Sequence, residues 1–335
     1  MTLADWSIGV LWIGLTLYVL LAGADFGGGF WDLFAGGSER GRAQRTLIEH
    51  SIGPVWEANH VWLIFVLVLL WTAFPPVFAA VMSTLYIPLT LVALGIIVRG
   101  AGFAFRKASD ELGQQRLFGA AFALSSVITP FCLGAVAGGI ASGRVPAGLA
   151  RGDLLNSWWN PSSILGGTLA VGAAAYLAAT YLCADAQREG QSALVDAFRL
   201  RALATGAVLG VAALGGVAVL HADAPRLFHG LTHRAFPLII ASAAAGVASL
   251  LLLLTRRYLA VRLTAAFAVG TLLWGWAVAQ YPYLLVPDVT IGDAAANRAV
   301  LTAMLIALGC GALVLIPSLL WLFVIFQRQR PGTVR

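Results

Sequence analysis

The chain has 335 residues, of which 60% are hydrophobic and 11% are charged, and its mean hydropathy is +0.86. Because soluble domains carry about 25% charged residues, this composition excludes a soluble globular protein. The formal net charge of +6 requires no nucleic-acid partner, since most of the arginines fall on one predicted side of a membrane.

Nine apolar segments, joined by short connections, predict an all-α polytopic membrane protein. A helix needs about 20 apolar residues to cross a bilayer, and a spanning helix satisfies its own backbone groups in lipid. No segment resembles a soluble domain, so residues 1–335 are expected to form a single integral membrane domain. The nine segments cover approximately residues 6–34, 50–73, 76–103, 117–141, 162–184, 201–220, 236–254, 263–281 and 299–326.

The first eight segments can be divided into two parallel four-helix repeats. Segment 1 contains Leu-Ala-Gly-Ala-Asp at residues 21–25, and segment 5 ends in Leu-Cys-Ala-Asp at residues 182–185. This faint similarity predicts two four-helix bundles, in residues 1–141 and 162–281. Residues 299–326 would then form an extra, peripheral helix.

Lysine and arginine are distributed unevenly between the two predicted sides of the membrane. Fifteen follow segments 1, 3, 5 and 7 or lie in the C-terminal tail, five lie on the opposite side, and Arg99 lies within segment 3. Because basic residues favour the cytoplasmic side, the N-terminus is predicted to lie outside and the C-terminus in the cytoplasm. Asp5 and the lack of a basic run before segment 1 predict that no signal peptide is cleaved.

Cysteine and glycine patterns predict neither disulfides nor a phosphate-binding loop. The three cysteines lie far apart within apolar segments, which argues against disulfides and cysteine metal sites. His229 and His233 have helical i,i+4 spacing but no assured third ligand, so no metal site is predicted. Gly27, Gly28 and Gly29 lie in an apolar helix without a preceding strand, which favours close helix packing.

Segment 2 contains the most informative motif, Ser-Ile-Gly-Pro-Val-Trp-Glu-Ala-Asn-His-Val-Trp-Leu-Ile-Phe at residues 51–65. A carboxyl group at membrane depth costs on the order of 2.5–3.5 kcal/mol, so such a residue is kept where it is used. Glu57 is therefore predicted to be a buried acid that carries protons or forms an ion pair. The alternative is a carboxylate that extends to the interface. Trp56 and Trp62 flank Glu57 and could shield it from lipid.

The predicted hairpin of segments 1 and 2 places Asp25 and Glu57 at similar height, roughly 15 Å from the connecting loop. Segment 3 brings Arg99 to a comparable depth, and His60 lies one turn beyond Glu57 on the same face. Two close carboxyl groups in a low dielectric cannot both ionise easily, which suits a proton relay. The alternatives are a static ion pair of Arg99 with one acid, or helix positions that never meet.

Three motifs in the first third of the chain are specific in order and spacing. They are Ala-Asp-Phe-Gly-Gly-Gly at 24–29, the motif at 51–63, and Arg-Gly-Ala-Gly-Phe-Ala-Phe-Arg at 99–106. Together they resemble subunit II of the cytochrome bd quinol oxidases, and the Pro-x-Trp-acid-x-Asn-x-x-Trp pattern at 54–62 is the most specific part. The rest of the chain is similar in segment count and length. The chain is on the short side, as in the cyanide-insensitive branch.

The resemblance implies a membrane complex with a haem-bearing subunit I, which carries two b-type haems, one d-type haem and the quinol site. The pair would oxidise quinol and reduce dioxygen to water. This chain would hold no haem, no metal and no catalytic residue, which agrees with His60 being the only histidine well inside a segment. A structural quinone or lipid and a location in the bacterial inner membrane are also implied, and the presence of a small accessory subunit is left open.

The resemblance implies that this chain is a scaffold that also delivers protons from the cytoplasm to the oxygen site. The acid of the second motif, here Glu57, lies on that route in the family, and His60 stands where some members have glutamine. Some members carry an acid where this chain has Ala104, so a route through that acid is not expected here. The predicted route comprises Glu57, Asp25 and His60, supported by Arg99, Trp56, Asn59 and Trp62.

Two other functions fit the same sequence features. A proton-coupled secondary transporter could use Asp25 and Glu57 as coupling acids, because polytopic topology and membrane-embedded carboxyl groups are typical of that class. A pure scaffold would stabilise a catalytic partner, and substitutions of these acids would then act through assembly alone.

Overall fold

The computed structural model describes the backbone of residues 2–37, 41–53, 56–109 and 111–328. It describes the side chains of these residues except those at 56–58, 107, 112, 319–320 and 322–328.

The described residues form thirteen helices and one two-stranded antiparallel sheet. The helices are α1 (Leu3–Leu33), α2 (Arg42–Ile52), α3 (Trp56–Ala73), α4 (Pro75–Thr84), α5 (Tyr86–Ala108), α6 (Leu112–Ala141), α7 (Pro161–Arg188), α8 (Ser192–Asp223), α9 (Pro225–His233), α10 (Phe236–Leu254), α11 (Tyr258–Gln280), α12 (Ile291–Ala294) and α13 (Arg298–Arg328). The strands are β1 (Tyr283–Leu285) and β2 (Val289–Thr290), between α11 and α12.

Eight helices in the described part of the chain are long and apolar enough to cross a membrane: α1, α5, α6, α7, α8, α10, α11 and α13. The second predicted segment, residues 50–73, includes the last three residues of α2 and all of α3, whose apolar stretch at Asn59–Ala73 is shorter. Every predicted segment is therefore helical, and the all-α polytopic class is confirmed. The exact number of crossings and the division into two bundles stay predictions.

The predicted segment at residues 76–103 is two helices rather than one. Pro75 and Pro76 begin α4, which ends when the amide of Leu85 bonds to the carbonyl of Val81. Pro88 lies in the first turn of α5, where the missing N–H disrupts no helical hydrogen bond. The chain therefore breaks at Leu85, three residues before the proline.

Several arginines that the sequence analysis assigned to loops lie inside helices. Arg199 and Arg201 belong to α8, which begins nine residues before the predicted start at residue 201. Arg262 likewise lies in the second turn of α11. The additional turns of α8 form because Leu194, Val195 and Phe198 are buried against the core while the polar face stays outside.

Helix α1 lies at the centre of the structure and packs against α3, α6 and α7. Glycine makes this approach possible: a Cβ atom at Gly27 would overlap the carbonyl oxygen of Ala174 on α7, and one at Gly28 would overlap Ile52 on α2. A Cβ at Gly29 would overlap Ser126 on α6. The prediction that these glycines serve close helix packing is confirmed.

Candidate functional site

Asp25 and Asn59 are buried where α1 and α3 meet, with 4% and 7% of their surfaces exposed. The Asn59 side-chain amide donates a hydrogen bond of 2.6 Å to Oδ2 of Asp25. A buried carboxyl group needs such a partner, because burial without one costs several kcal/mol, about 2–7 for a neutral polar group and more for a charge. The contact confirms that the first two predicted segments bring polar groups together.

Arg99, on α5, is almost fully buried beside the same carboxyl group, with 1% of its surface exposed. Its Nη2 donates to the backbone carbonyl of Asp25 at 2.9 Å, and its Nε donates to Oγ of Ser126 on α6 at 3.1 Å. The guanidinium carbon also lies 5.1 Å from the ring centre of Phe26 and 4.9 Å from that of Phe122. Hydrogen bonds and aromatic faces thus surround this cation.

Among the described side chains, the guanidinium of Arg99 and the carboxyl group of Asp25 form no ion pair. The guanidinium reaches the backbone oxygen of Asp25, while the carboxyl group of Asp25 turns towards Asn59 on another helix. No described carboxylate lies within ion-pair distance of Arg99. Arg99 and Asp25 therefore meet without a side-chain ion pair, and the alternative in which Arg99 pairs statically with one acid stays open for Glu57, whose side chain lies outside the described residues.

His60 lies on α3, and two aromatic side chains of α1 flank its ring. The ring centres of Tyr18 and Phe26 are 6.2 Å and 5.6 Å from that of His60. Phe26 therefore contacts both the ring of His60 and the guanidinium of Arg99. Trp62 packs against the same group of α1 side chains, which encloses the polar residues on one side.

Glu57 and Trp56 form the first turn of α3, two and three residues before Asn59. Their side chains lie outside the described part of the structure. The predicted presence of Glu57 in this cluster, and the shielding by Trp56, stay predictions. The backbone places Glu57 on the same helix as Asn59 and His60, both of which face α1.

A cavity of about 190 Å³ opens beside Asp25 and is called the Asp25 cavity below. It lies between α1, the end of α2, α3, α7 and α11, and most of its wall is apolar. The described residues that line it with polar side chains are Asp25, Ser51, Asn59, Tyr181, Asp185 and Arg262. The sequence analysis noted Asp185 only as a repeat of the Asp25 motif and did not assign it to a site.

A second acid on α1, Asp32, was missed by the sequence analysis. It is buried and pairs with Arg45 on α2 at 2.8 Å and with Arg106 on α5 at 2.5 Å. Arg106 also lies 3.6 Å from Glu49 on α2. The signal was present, because Asp32 follows Asp25 by seven residues, or two helical turns on the same face. This network joins the end of α1 to α2 and to the end of α5.

At the opposite end of the helices, Asp223 binds Arg144 and Ser162. The two carboxylate oxygens accept from the guanidinium at 2.9 Å and 2.6 Å, and one of them accepts from the Ser162 hydroxyl at 2.6 Å. Asp223 thus links Arg144, which follows α6, to the first turn of α7.

His229 and His233 on α9 contact each other, with ring centres 4.0 Å apart.

A family model and the curated relatives that match this chain all belong to the same oxidase subunit. A family model described as cytochrome bd terminal oxidase subunit II matches residues 3–326. The cytochrome bd ubiquinol oxidase subunit 2 of Bacillus subtilis is 33% identical over 161 residues, which cover 48% of this chain and 46% of that relative. The cytochrome bd-I ubiquinol oxidase subunit 2 of Escherichia coli is 30% identical over 227 residues, which cover 64% and 55% respectively. These alignments span about half the length of the curated relatives.

The fold is also similar to a solved structure. A chain from the structure of the bd oxidase from Geobacillus thermodenitrificans superimposes with a TM-score of 0.77 at 26% identity. The match covers 98% of this chain and 100% of that chain. The similarity therefore extends over both halves of the helical domain, beyond the first third in which the sequence motifs lie.

Proposed function

This chain belongs to the cytochrome bd terminal oxidase subunit II family, and we propose on that basis that it is the haem-free subunit of a quinol:oxygen oxidoreductase. The complex would oxidise quinol and reduce dioxygen to water, with the active site in the partner chain. The family match gives no support to a secondary transporter. The similarity to a bd oxidase chain over nearly the whole length supports the same conclusion.

The haems are assigned to the partner, subunit I, as two of b type and one of d type. The surroundings of His60, the only histidine well inside a predicted segment, support this assignment. Axial ligation requires a histidine, methionine or cysteine facing a planar cofactor, and the ring of His60 instead faces Tyr18 and Phe26. No step proposed for this chain involves a haem.

The buried contact between Asn59 and Asp25, with Arg99 beside it, is the observation that carries the proposed role of this chain. We infer that Asp25, Glu57 and His60 deliver protons from the cytoplasm towards the oxygen-reducing site of the partner. Asn59 and Arg99 would orient Asp25, and Trp56 and Trp62 would exclude lipid. Polar groups within membrane helices are costly and are typical of proton relays. The alternative role is a scaffold in which the same contacts only fix helix packing.

The chain is an integral membrane protein, and the proposed location is the bacterial inner membrane, with the N-terminus outside. Lysine and arginine are concentrated after segments 1, 3, 5 and 7 and in the C-terminal tail, which supports this orientation. The large apolar side chains exposed on α8 and α13 suit contact with lipid, a structural quinone or a small accessory subunit.

A reduced-minus-oxidised absorption spectrum tests the proposed function. The tagged chain would be purified after gentle solubilisation from its native membrane. We expect bands of b- and d-type haem together with a second, larger chain, and oxygen consumption when quinol is added. A colourless chain that purifies alone would contradict the assignment to an oxidase complex.

A further inference from the structure

Another cavity, of about 420 Å³, lies at the end of the helices opposite to Asp185 and Arg262. It is enclosed by the end of α6, by α9 and by the chain from the end of α11 to β1, and it is called the α9 pocket below. A Cβ atom at Gly230 would overlap the carbonyl oxygen of Ala279, so α9 packs closely against the end of α11. The walls of the pocket are therefore fixed to each other.

The α9 pocket is lined by basic side chains. Arg226, His229 and Arg234 lie in its wall, and the described lining residues include neither aspartate nor glutamate. Asp223, the acid that precedes α9, already binds Arg144 and Ser162. Because a concave surface with charge of one sign concentrates ions of the opposite sign, the pocket should attract an anion.

The two arginines of the pocket are held differently. Arg234 donates through Nη1 to the backbone carbonyl of Tyr281, which fixes its guanidinium between the end of α9 and the end of α11. Arg226 is exposed and makes no hydrogen bond or ion pair with any described residue. A guanidinium binds a phosphate group through two parallel N–H···O bonds. Arg226 therefore has all its donors available for such a ligand.

The position of the α9 pocket suits a lipid headgroup. Helix α9 lies between α8 and α10, two helices that are long and apolar enough to cross a membrane. Tyr281 and Tyr283 line the pocket, and aromatic residues at the ends of spanning helices are typical of the headgroup level. Phe236 and Ile240, in the first turns of α10, are 51% and 53% exposed and could contact an acyl chain.

We propose that the α9 pocket binds a phosphate group through Arg226, His229 and Arg234, and that a membrane phospholipid supplies this group. The phosphate would occupy the basic wall of the pocket, and the acyl chains would extend along the apolar surface beside α10. A bound lipid would also join α9 to the end of α11, because Arg226 and Arg234 would share it. This inference goes beyond the proposed oxidase function and does not rest on proton delivery.

Native mass spectrometry tests the proposal on the chain as it purifies, with any chain that accompanies it. The protein is stripped of lipid in a phosphate-free detergent and titrated with phosphatidylglycerol. In Arg226→Gln we expect the affinity for the first bound lipid to fall about 10-fold, since a charge-assisted contact is lost. Arg151→Gln is the control, because Arg151 is exposed at the same end and does not line the pocket. Equal affinities of the two variants would overturn the proposal.

Two further ligands identify the source of the phosphate group. Diacylglycerol with the same acyl chains lacks the phosphate and should bind at least ~10-fold more weakly than phosphatidylglycerol. If it binds equally well, phosphate recognition is wrong. Inorganic phosphate should displace the lipid only at much higher concentration. If inorganic phosphate binds and phosphatidylglycerol does not, the site takes a free anion and the assignment to a phospholipid is wrong.

Thermal unfolding provides a second readout. A ligand that binds only the folded protein stabilises it, so saturating phosphatidylglycerol should raise the unfolding temperature by at least ~2 °C in the unsubstituted protein and in Arg151→Gln. The shift should be lost in Arg226→Gln. If that variant does not assemble, Arg226→Lys keeps the charge and should retain most of the shift. No shift in the unsubstituted protein, or its loss in a well-assembled Arg226→Lys, would contradict a cationic phosphate site.

Discussion

At the scale of single residues, the carboxyl group of Asp25 is held by a neutral donor. Asn59 donates one hydrogen bond to it, while the guanidinium of Arg99 is directed to the backbone carbonyl, Ser126 and two aromatic rings. A carboxylate in a direct ion pair must break that pair to accept a proton. Asp25 can change protonation without moving Arg99, which suits a relay better than a static ion pair.

Replacing either acid by its amide should separate proton transfer from structure. In Asp25→Asn and Glu57→Gln we expect turnover to fall by about 10²-fold or more, the usual loss when a positioned proton carrier is removed. Haem content should be unchanged. Oxygen consumption with quinol, normalised to haem from absorption spectra, measures the effect.

The control for these variants is Asp153→Asn, which makes the same chemical change in an exposed loop. Normal turnover and normal haem content in Glu57→Gln would show that Glu57 carries no protons. Loss of haem would instead assign Glu57 or Asp25 to assembly.

Arg99 should contribute to stability more than any exposed arginine. Arg99→Gln removes the hydrogen bonds to Asp25 and Ser126 and the contacts with two aromatic rings. Leaving buried polar groups without partners costs about 1–3 kcal/mol each, so the thermal unfolding temperature of the solubilised complex should fall clearly. Arg116→Gln, at an exposed position on α6, is the control. Equal unfolding temperatures of the two variants would contradict this view.

At the scale of helices, the structure depends on the close approach of α1 to α7. In Gly27→Ala the new methyl group would overlap the backbone of Ala174 and push the helices apart. Overpacking of this kind costs about 1–3 kcal/mol. Gly9→Ala on the same helix meets nothing within 4 Å and should be neutral or slightly stabilising. Thermal unfolding of both variants tests the prediction, and a Gly27→Ala complex as stable as Gly9→Ala would refute it.

The helices themselves could be predicted from the sequence because apolar runs of membrane length leave few alternatives. The residues at which these helices begin and end could not be predicted in the same way. The first turns of α8 contain Arg199 and Arg201 and are of low hydropathy, yet they fold as helix because one face is buried. The break between α4 and α5 at Leu85 was also missed. Both helices are apolar, so hydropathy does not separate them, and Pro88 lies inside the first turn of α5 rather than at the boundary.

The candidate site was predicted in part. Matching depths along neighbouring helices brought Asp25 and Arg99 together, but depth does not tell which atom of Asp25 the guanidinium reaches. Asp185 was missed because its partner Arg262 comes from a helix distant in sequence, and only packing shows that the two face each other. Side-chain pairing across helices is therefore the part that the sequence alone does not determine.

At the scale of the whole molecule, α1 connects the two halves of the chain. It packs against α3 and α6 from the first half and α7 and α11 from the second. The Asp25 cavity lies at this junction, with α1 and α3 on one side and α7 and α11 on the other. A route to Asp25 would thus depend on how both halves are placed, which links the scaffold role of the chain to its proposed role in proton delivery.

The orientation of the molecule in the membrane decides which side supplies the protons. The buried and half-buried pairs Asp32–Arg45, Asp32–Arg106 and Asp185–Arg262 lie at the end of the helices that is rich in arginine. Because basic residues favour the cytoplasmic side, this end is expected to face the cytoplasm. The side of the Asp25 cavity that Asp185 and Arg262 line would then face the cytoplasm, as the proposed proton delivery requires.

Reporter fusions test this orientation directly. Green fluorescent protein after Arg335 should be fluorescent, since it folds in the cytoplasm, and alkaline phosphatase fused there should be inactive. Alkaline phosphatase inserted within residues 142–160, between α6 and α7, should be active, because that connection is expected outside the cell. The reverse pattern would place the arginine-rich end of the helices outside. Asp25 would then lie on the wrong side to receive cytoplasmic protons, and the proposed delivery would fail together with the orientation.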